Sequence, residues 1–325
     1  MKTIVTGGAG FIGSHVVDLL ISHGHDVTVL DNFSTGREEN LKHLNNKVRI
    51  VDADLAKAGG WQSEFDSVNW VFHLAALADI VPSIQDPVEY FNSNVLGTLN
   101  VLEACKYHNV SKLIYSASSS CYGIAKTYPT PESAKTDPQY PYALTKKMGE
   151  DLILHWNKVY GLQAISLRFF NVYGTRSRTS GTYGAMFGVF LAQKLANQPF
   201  TVVGDGTQTR DFTYVTDVAQ AVLSAVESSQ SGCIYNVGSG KTVSVIDIAR
   251  KLGGELVFIP KRPGEPECTF ADISAIKKDL GWRPTIDIDQ GIKLVIDNID
   301  YWGNAVVWTP DTIDQATKAW FDHLS

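Results

Sequence analysis

The segment Thr3-Ile-Val-Thr-Gly-Gly-Ala-Gly-Phe-Ile-Gly13 leaves the folding chain few options. A β-branched run feeds Gly7, Gly10 and Gly13, spaced three apart. An amphipathic stretch from Ser14 to Ser22 follows, and then a second apolar run, Val27 to Leu30, which ends in Asp31. Strand, glycine turn, helix, strand and acid stand in the order that a dinucleotide-binding unit requires. Glycines in such a turn let backbone N–H groups approach a pyrophosphate at a helix N-terminus, where the helix dipole favours anions. Asp31, 18 residues after Gly13, is placed to accept hydrogen bonds from an adenosine ribose. Its charge would repel a 2′-phosphate, so NAD is expected rather than NADP.

The first half of the chain keeps this rhythm. Apolar runs at 48–52, 70–76, 112–118 and 164–169 alternate with helix-patterned segments around 86–108 and 141–160. Alternating strands and helices imply an α/β fold with a doubly wound parallel sheet. Ligands of such sheets bind outside the carboxyl ends of the strands, here near Gly7, Asp31, Asp54, Ala75, Ser118 and Asn171. After about residue 172 the rhythm breaks, with a polar loop at 173–182 and short strands at 200–203, 233–237 and 255–259. We expect residues 1–172, rejoined by roughly 212–240, to form the NAD-binding domain. Residues 173–211 and 241–325 would form a smaller α/β substrate-binding domain that closes over it. The tail opens with Thr309-Pro310-Asp311, a plausible cap with proline at the first helical position. It should be one more amphipathic helix, with no role that the sequence assigns.

A composition of 44% hydrophobic and 19% charged residues over 325 positions is that of a soluble globular protein. The net charge of −6 argues against a nucleic-acid partner, which usually needs a basic face. No apolar run of about 18 residues suggests a membrane span. A strand beginning at Thr3 leaves no room for a signal peptide. Cys105, Cys121, Cys233 and Cys268 have no metal-ligand spacing, so no metal is expected and a reducing cytoplasm is.

Tyr142 and Lys146 are four apart in a helix-patterned segment and so share a face. An ammonium there would lower the tyrosine pKa from about 10, making Tyr142 a candidate general acid/base. An ordinary helical Tyr and Lys would look the same. Ser118 ends an apolar run and opens Ser118-Ser119-Ser120, where a hydroxyl could hold a reacting oxygen; a polar strand-end loop is the plain alternative for Ser119 and Ser120. Cys121 reads as a small hydrophobe, because no base or cation is placed to activate it.

The glycine turn, Tyr142-x-x-x-Lys146 and the upstream serine together resemble the extended short-chain dehydrogenase/reductase family. Within it, the chain is similar to the nucleotide-sugar 4-epimerases, with further matches at 31–36, 73–76, 83–87, 94–98, 168–174, 210–215 and 262–265. The resemblance implies a Rossmann sheet and an NAD site. Gly7, Gly10, Phe11, Ile12 and Gly13 would hold the pyrophosphate. Asp31, Asn32, Ser34 and Gly36 would hold the adenosine ribose, with Asp54 and Leu55 near the adenine. Leu74, Ala75, Ala76, Asn94 and Ser116 would line the NAD site, with Tyr142 and Lys146 at the nicotinamide. Ser118, Tyr142 and Lys146 would be catalytic. Ser83, Ser118, Ser119 and Ser120 would face the substrate, while Asn171, Arg210 and Arg262 grip its diphosphate, since arginine forks match phosphate oxygens. Outside the resemblance, Arg210 would read as an ion pair with Asp211, and Arg262 as a solvated loop residue.

The same resemblance narrows the reaction. Dehydratases of the family carry Asp-Glu where Ser119 and Ser120 stand, which disfavours 4,6-dehydration. A small residue at Thr269, or at Cys268 if the register slips by one, admits an N-acetyl group. The expected reaction is NAD-dependent C4 epimerisation through a transient 4-keto sugar. UDP-GlcNAc/UDP-GalNAc is the first expectation, and UDP-Glc/UDP-Gal a further one. A UDP-glucuronate decarboxylase or 4-epimerase, an NDP-sugar dehydratase, or a non-catalytic NAD(H)-sensing protein are the alternatives. A homodimer through the segments 86–108 and 141–160 is implied by the same resemblance.

Overall fold

Parallel strands buried on both faces form the centre of the fold. The computed structural model describes residues 1–179 and 186–324. Among them, β1 (Lys2–Thr6), β2 (Asp26–Asp31), β3 (Val48–Asp52), β4 (Trp70–His73), β5 (Lys112–Ser118), β6 (Ala164–Phe169) and β7 (Cys233–Val237) make one sheet in the order β7-β6-β5-β4-β1-β2-β3. Every neighbouring pair is parallel. The runs are rich in Val and Ile because a parallel sheet has no solvent face, and Ile4 and Val5 are fully buried. The order of strands reverses between β1 and β4, so a crevice opens at their carboxyl ends.

Two helical layers cover the sheet. Val16, Val17 and Leu20 of α1 (Phe11–Ser22) pack in one core cluster with Val218 and Val222 of the helix Val215–Glu227. On the other face, Val101, Leu102 and Cys105 of the helix Gly97–Tyr107 pack with Ile153 of the helix Pro141–Tyr160. The helix expected over 86–108 is interrupted. Asp86 caps the helix Pro87–Phe91 by accepting from Glu89 N (3.0 Å), and a π-helical turn, Asn92–Leu96, precedes Gly97–Tyr107. Such turns commonly sit at functional sites. The run expected over 70–76 stops as a strand at His73, and the run expected from 255 begins at Leu256.

After β6 the chain leaves the sheet for about sixty residues before returning as β7. Within the polar segment 173–182, Tyr173 ends a short strand, Asn171–Tyr173, paired with Phe212–Tyr214; positions 180–182 lie outside the described residues. A separate core gathers Phe190, Phe200, Val202, Ile248, Val295 and Trp302, beside the parallel pair Phe200–Val203 and Leu256–Ile259. The helix Pro310–Leu324 follows Thr309, whose hydroxyl accepts from Thr312 N (3.3 Å). Among the described residues no helix is long and apolar enough to cross a membrane.

His73, fully buried at the end of β4, ties the sheet to its surroundings. The Thr98 hydroxyl donates to Asn94 O (2.6 Å), so it must accept from His73 Nε2 (2.9 Å). Nδ1 then accepts from the Thr6 hydroxyl (2.7 Å), which in turn accepts from Ala75 N (3.2 Å). The neutral imidazole is therefore satisfied at both nitrogens, and a proton could be added only by breaking the Thr6 bond. Burial, with Lys146 adding repulsion, lowers its pKa to about 3. Burial likewise lowers that of His15 to about 4. Histidines of the unfolded chain titrate near 6.5, so below that pH the unfolded state binds more protons. Stability is full above about pH 6.5 and falls as pH drops towards 4. Thermal melts should show a progressive loss of Tm over that window, and His73→Asn should flatten it; a slope unchanged by the substitution contradicts the assignment.

Candidate active site

The first wall of the crevice is backbone against backbone. Gly7, at φ +69°, closes β1 so tightly that a Cβ on it would lie 2.7 Å from Ala75 N. A Cβ on Gly13 would lie 2.1 Å from Gly7 O. Gly10 N donates to Gly7 O (3.1 Å), and α1 begins at Phe11. Asp31 closes the turn from β2: Oδ2 accepts from Ala9 N and Oδ1 from Phe33 N, both at 2.9 Å. Burial pushes its carboxyl up, while these two N–H bonds pull it down. Two acceptors with several lone pairs leave capacity for ribose hydroxyls. A Cβ on Gly36 would lie 2.8 Å from Asp31 Oδ1, so Gly36 serves the carboxylate rather than the cavity.

The cavity has a volume of about 670 Å³. Gly7, Gly10, Phe11, Ile12, Gly13, Asp31, Asn32, Ser34, Asp54, Leu55, Leu74, Ala75, Ala76 and Ser116 all line it. Gly36, Ser83 and Asn94 do not. The buried Ser83 hydroxyl donates to Ile80 O (2.6 Å). Asn94 sits in the π-helical turn, accepts from Leu77 N (2.8 Å) and donates to Leu77 O and Thr145 Oγ1 (both 3.0 Å). Its side chain thereby ties the wall at Leu77 to Thr145 of the catalytic helix. A turn with no room for a Cβ, a helix N-terminus and an acid at the end of β2 fit the pyrophosphate and ribose of NAD.

Deeper in the same cavity, Tyr142 and Lys146 lie one turn apart on the helix Pro141–Tyr160. The Lys146 ammonium is buried 4.4 Å from the Tyr115 ring centroid. Burial lowers its pKa to about 7, against the pull of the Glu150 carboxylate one turn further on. Tyr142 departs from expectation. Burial raises its pKa, and the main group lowering it is Ser118, through a hydrogen bond, rather than Lys146. The physical reason is that the ammonium rests on Tyr115 and both groups are desolvated. Ser118 Oγ lies 2.8 Å from Ser120 Oγ and 3.2 Å from Ser120 N, from both of which it accepts, so its own proton remains for the Tyr142 oxygen. Ser119 also lines the cavity. The Cys121 thiol is buried, and desolvation raises its pKa to about 12, so it is inert.

Several residues here carried no sequence signal. Glu150, fully buried, receives Arg168 Nε (2.9 Å) and Nη2 (2.6 Å) and Ser166 Oγ (2.9 Å), fastening the catalytic helix to β6. Asp79, close enough to raise the Tyr142 pKa, is paired with Arg178.

At the far end, Arg210 Nη2 pairs with Glu265 Oε1 at 2.8 Å, not with its neighbour Asp211. Asp211 is buried and instead accepts from Ser239 N (2.6 Å), Gly240 N (3.2 Å) and Ala271 N (3.1 Å). Nor is Arg262 a solvated loop residue, since its side chain is 11% exposed and its Nη1 lies 3.9 Å from Glu265 Oε2. Thr269 donates to Asn171 Oδ1 (2.7 Å) and accepts from Asp211 N (3.2 Å). Asn171, Thr269, Arg210 and Arg262 share the cavity with Tyr142. Among the described residues no cluster of His, Cys, Asp or Glu could hold a metal ion.

The sheet order, the glycine cradle and the helix that bears Tyr142 and Lys146 define the extended short-chain dehydrogenase/reductase class. Comparison with known proteins agrees: the chain belongs to the NAD dependent epimerase/dehydratase family, whose profile matches residues 3–238. It is an enzyme with NAD as its cofactor. It is 39% identical over 301 residues to a Methanocaldococcus jannaschii protein provisionally named as a UDP-glucose 4-epimerase, covering 90% of this chain and 96% of that one. A UDP-N-acetylglucosamine 4-epimerase from Methanobrevibacter ruminantium M1, solved with UDP-N-acetylmuramic acid, superposes with a TM-score of 0.86 at 33% identity, over 91% of this chain and 98% of that one. A UDP-glucuronic acid 4-epimerase from Bacillus cereus, solved with UDP-glucuronic acid and NAD, gives 0.86 at 32% identity over 92% and 99%.

Because a Cβ at position 13 meets backbone oxygen, Gly13→Ala must move the turn. We expect about 1–3 kcal/mol of destabilisation and loss of bound NAD, read by thermal melting and by the nucleotide released on denaturation. Normal NAD content in this variant contradicts the cradle.

Proposed function

We propose that the protein epimerises C4 of a nucleotide-activated hexose, with a UDP-N-acetylhexosamine as first substrate. The observation that carries this is one cavity lined by Ser118, Tyr142 and Lys146 and also by Asn171, Arg210 and Arg262. Such a layout suits a substrate held by its diphosphate while the sugar turns. Tyr142 as phenolate takes the proton of the 4-hydroxyl and later returns it. Ser118, its hydroxyl oriented by Ser120, turns its one proton from the Tyr142 oxygen to the reacting oxygen when substrate is in place. Lys146, with a pKa lowered to about 7, shares its proton readily near neutrality. Bound NAD supplies the acceptor, and then the donor, of the C4 hydride. Arg210 and Arg262 would exchange Glu265 for phosphate oxygens, since a guanidinium fork serves either.

Support for an N-acetyl sugar comes from the small Thr269 side chain, drawn back onto Asn171, and from the UDP-N-acetylglucosamine enzyme among the structural neighbours. UDP-glucose and UDP-galactose remain further candidates. A second reading, a UDP-uronate as substrate, is favoured by Arg178, a cation close to Tyr142 by way of Asp79. A sugar carboxylate would have to displace Asp79 to reach it, which makes this the lesser reading.

We also propose a homodimer in a reducing cytoplasm. Val88, Phe91 and Leu144 are 66%, 45% and 51% exposed on adjoining helices, an apolar surface suited to a second copy. The cysteines are free thiols. Light scattering at micromolar concentration should give a mass near twice 35.6 kDa; a monomer overturns the dimer.

The activity is tested by proton NMR with UDP-GlcNAc, UDP-GalNAc, UDP-glucose, UDP-galactose and UDP-glucuronate, each offered without added reductant. We expect UDP-GlcNAc and UDP-GalNAc to interconvert, with product mass unchanged. In the same assay Tyr142→Phe should lower turnover by roughly 10²–10⁴-fold while NAD stays bound. Turnover of the uronate alone would transfer the proposal to that sugar, and no turnover of any sugar would overturn it.

A further inference from the structure

The helix Pro310–Leu324, which the sequence leaves without a role, reaches the cavity. Its buried face is Ile313, Thr317 and Trp320, spaced four and three apart. Ile313 packs with Val203 and Ile259, the last residues of the strand pair Phe200–Val203 and Leu256–Ile259. Trp320 is 4% exposed and lies in the cavity wall.

Three contacts define what the indole does there. Its Nε1 donates to Pro263 O at 2.7 Å. The Arg262 guanidinium lies 5.3 Å from its ring centroid. On another side it meets the Tyr140 ring at 6.4 Å, and Tyr140 stacks on Tyr142 at 6.4 Å with the planes 8° apart. The Tyr140 hydroxyl is hydrogen-bonded to Ser120, which orients Ser118. A ring face attracts a guanidinium, and more so when water is excluded. The hydrogen bond to Pro263 pins the backbone beside Arg262, just before Gly264 turns at φ +70°.

We propose that Trp320 is a positioning residue of the active site, holding Arg262 and the 262–265 turn for the substrate diphosphate. It acts through Arg262 and Pro263 and does not touch the reacting atoms. This rests on the reading above that the far end of the cavity binds a nucleotide diphosphate. The last helix is then part of the binding site, and its placement joins that grip to the start of the catalytic helix.

The test uses the full-length, NAD-loaded enzyme and UDP as the probe, titrated by calorimetry. Trp320→Leu keeps an apolar side chain under the helix but removes ring and N–H. It should weaken UDP binding roughly tenfold, the size of a desolvated cation–π contact. KM should rise with kcat within about twofold and NAD content near that of the parent, while Tm falls by the lost ring packing and hydrogen bond. Trp320→Phe, which keeps a ring, should recover most of the affinity. In an Arg262→Ala background, Trp320→Leu should add little, because both act through one contact. UDP affinity of Trp320→Leu within twofold of the parent, or full additivity with Arg262→Ala, overturns the proposal. If Trp320→Leu does not fold, Trp320→Met, longer and still without a ring or N–H, carries the test: it must weaken UDP binding in the parent and change it less in the Arg262→Ala background, and an equal change in the two overturns the proposal. Failure of the parent enzyme to bind UDP overturns the nucleotide-sugar reading itself, a result distinct from any of these.

Discussion

Three stretches of backbone meet at the glycine turn, and the site cannot be assembled unless they do. Gly13 lies against Gly7 O, Gly7 lies against the chain at Ala75, and no side chain fits between them. That contact sets the N-terminus of α1 directly over the end of β1, where the peptide dipoles point at the crevice. The His73 network stiffens the same junction, because Thr6 holds the imidazole and Ala75 N at once. Through Thr98 and Asn94 it runs on to Thr145, one residue before Lys146. Cofactor cradle and catalytic helix are thus linked by hydrogen bonds rather than by sequence proximity.

The chemistry depends on what burial does to Tyr142 and Lys146. Desolvation disfavours both charged forms, phenolate and ammonium alike. The Tyr142 proton is therefore not released by the lysine alone. Ser118 offers one hydrogen bond to the Tyr142 oxygen, and the nicotinamide ring of NAD, held in this cavity, would add positive charge beside Lys146.

The glycine turn, Asp31 and the Tyr142–Lys146 pair were legible in the sequence because each is a local pattern with a fixed geometric reason. The parallel sheet was legible for the same cause, strand by strand. What escaped were pairings across long stretches of chain. Arg210 chose Glu265, 55 positions on, over its neighbour Asp211, because Asp211 was already consumed by backbone donors. Glu150 and Arg168 found each other across helix and strand. Asn94 and Ser83 sit within matching motifs, yet their side chains bond Leu77, Thr145 and Ile80, a distinction no spacing can make. Burial, which a sequence does not state, weighs on the Tyr142 pKa alongside the Ser118 hydrogen bond.

Tyr301 gives the cofactor end of the cavity a roof. Its hydroxyl donates to Asn40 Oδ1 (2.9 Å), and its ring lies 5.2 Å from the Arg37 guanidinium, which itself donates to Thr179 (2.6 Å). The bond to Asn40 spans 261 residues. Contacts of such separation form late, because loop closure must be paid for before they stabilise anything. The sheet and its glycine turn, made of nearer neighbours, can stand first as an open groove. Until Tyr301 docks on Arg37 and Asn40, that wall of the cavity is missing. The cavity is therefore completed by the last part of the chain, so a change near residue 301 would be felt at its opposite, N-terminal wall.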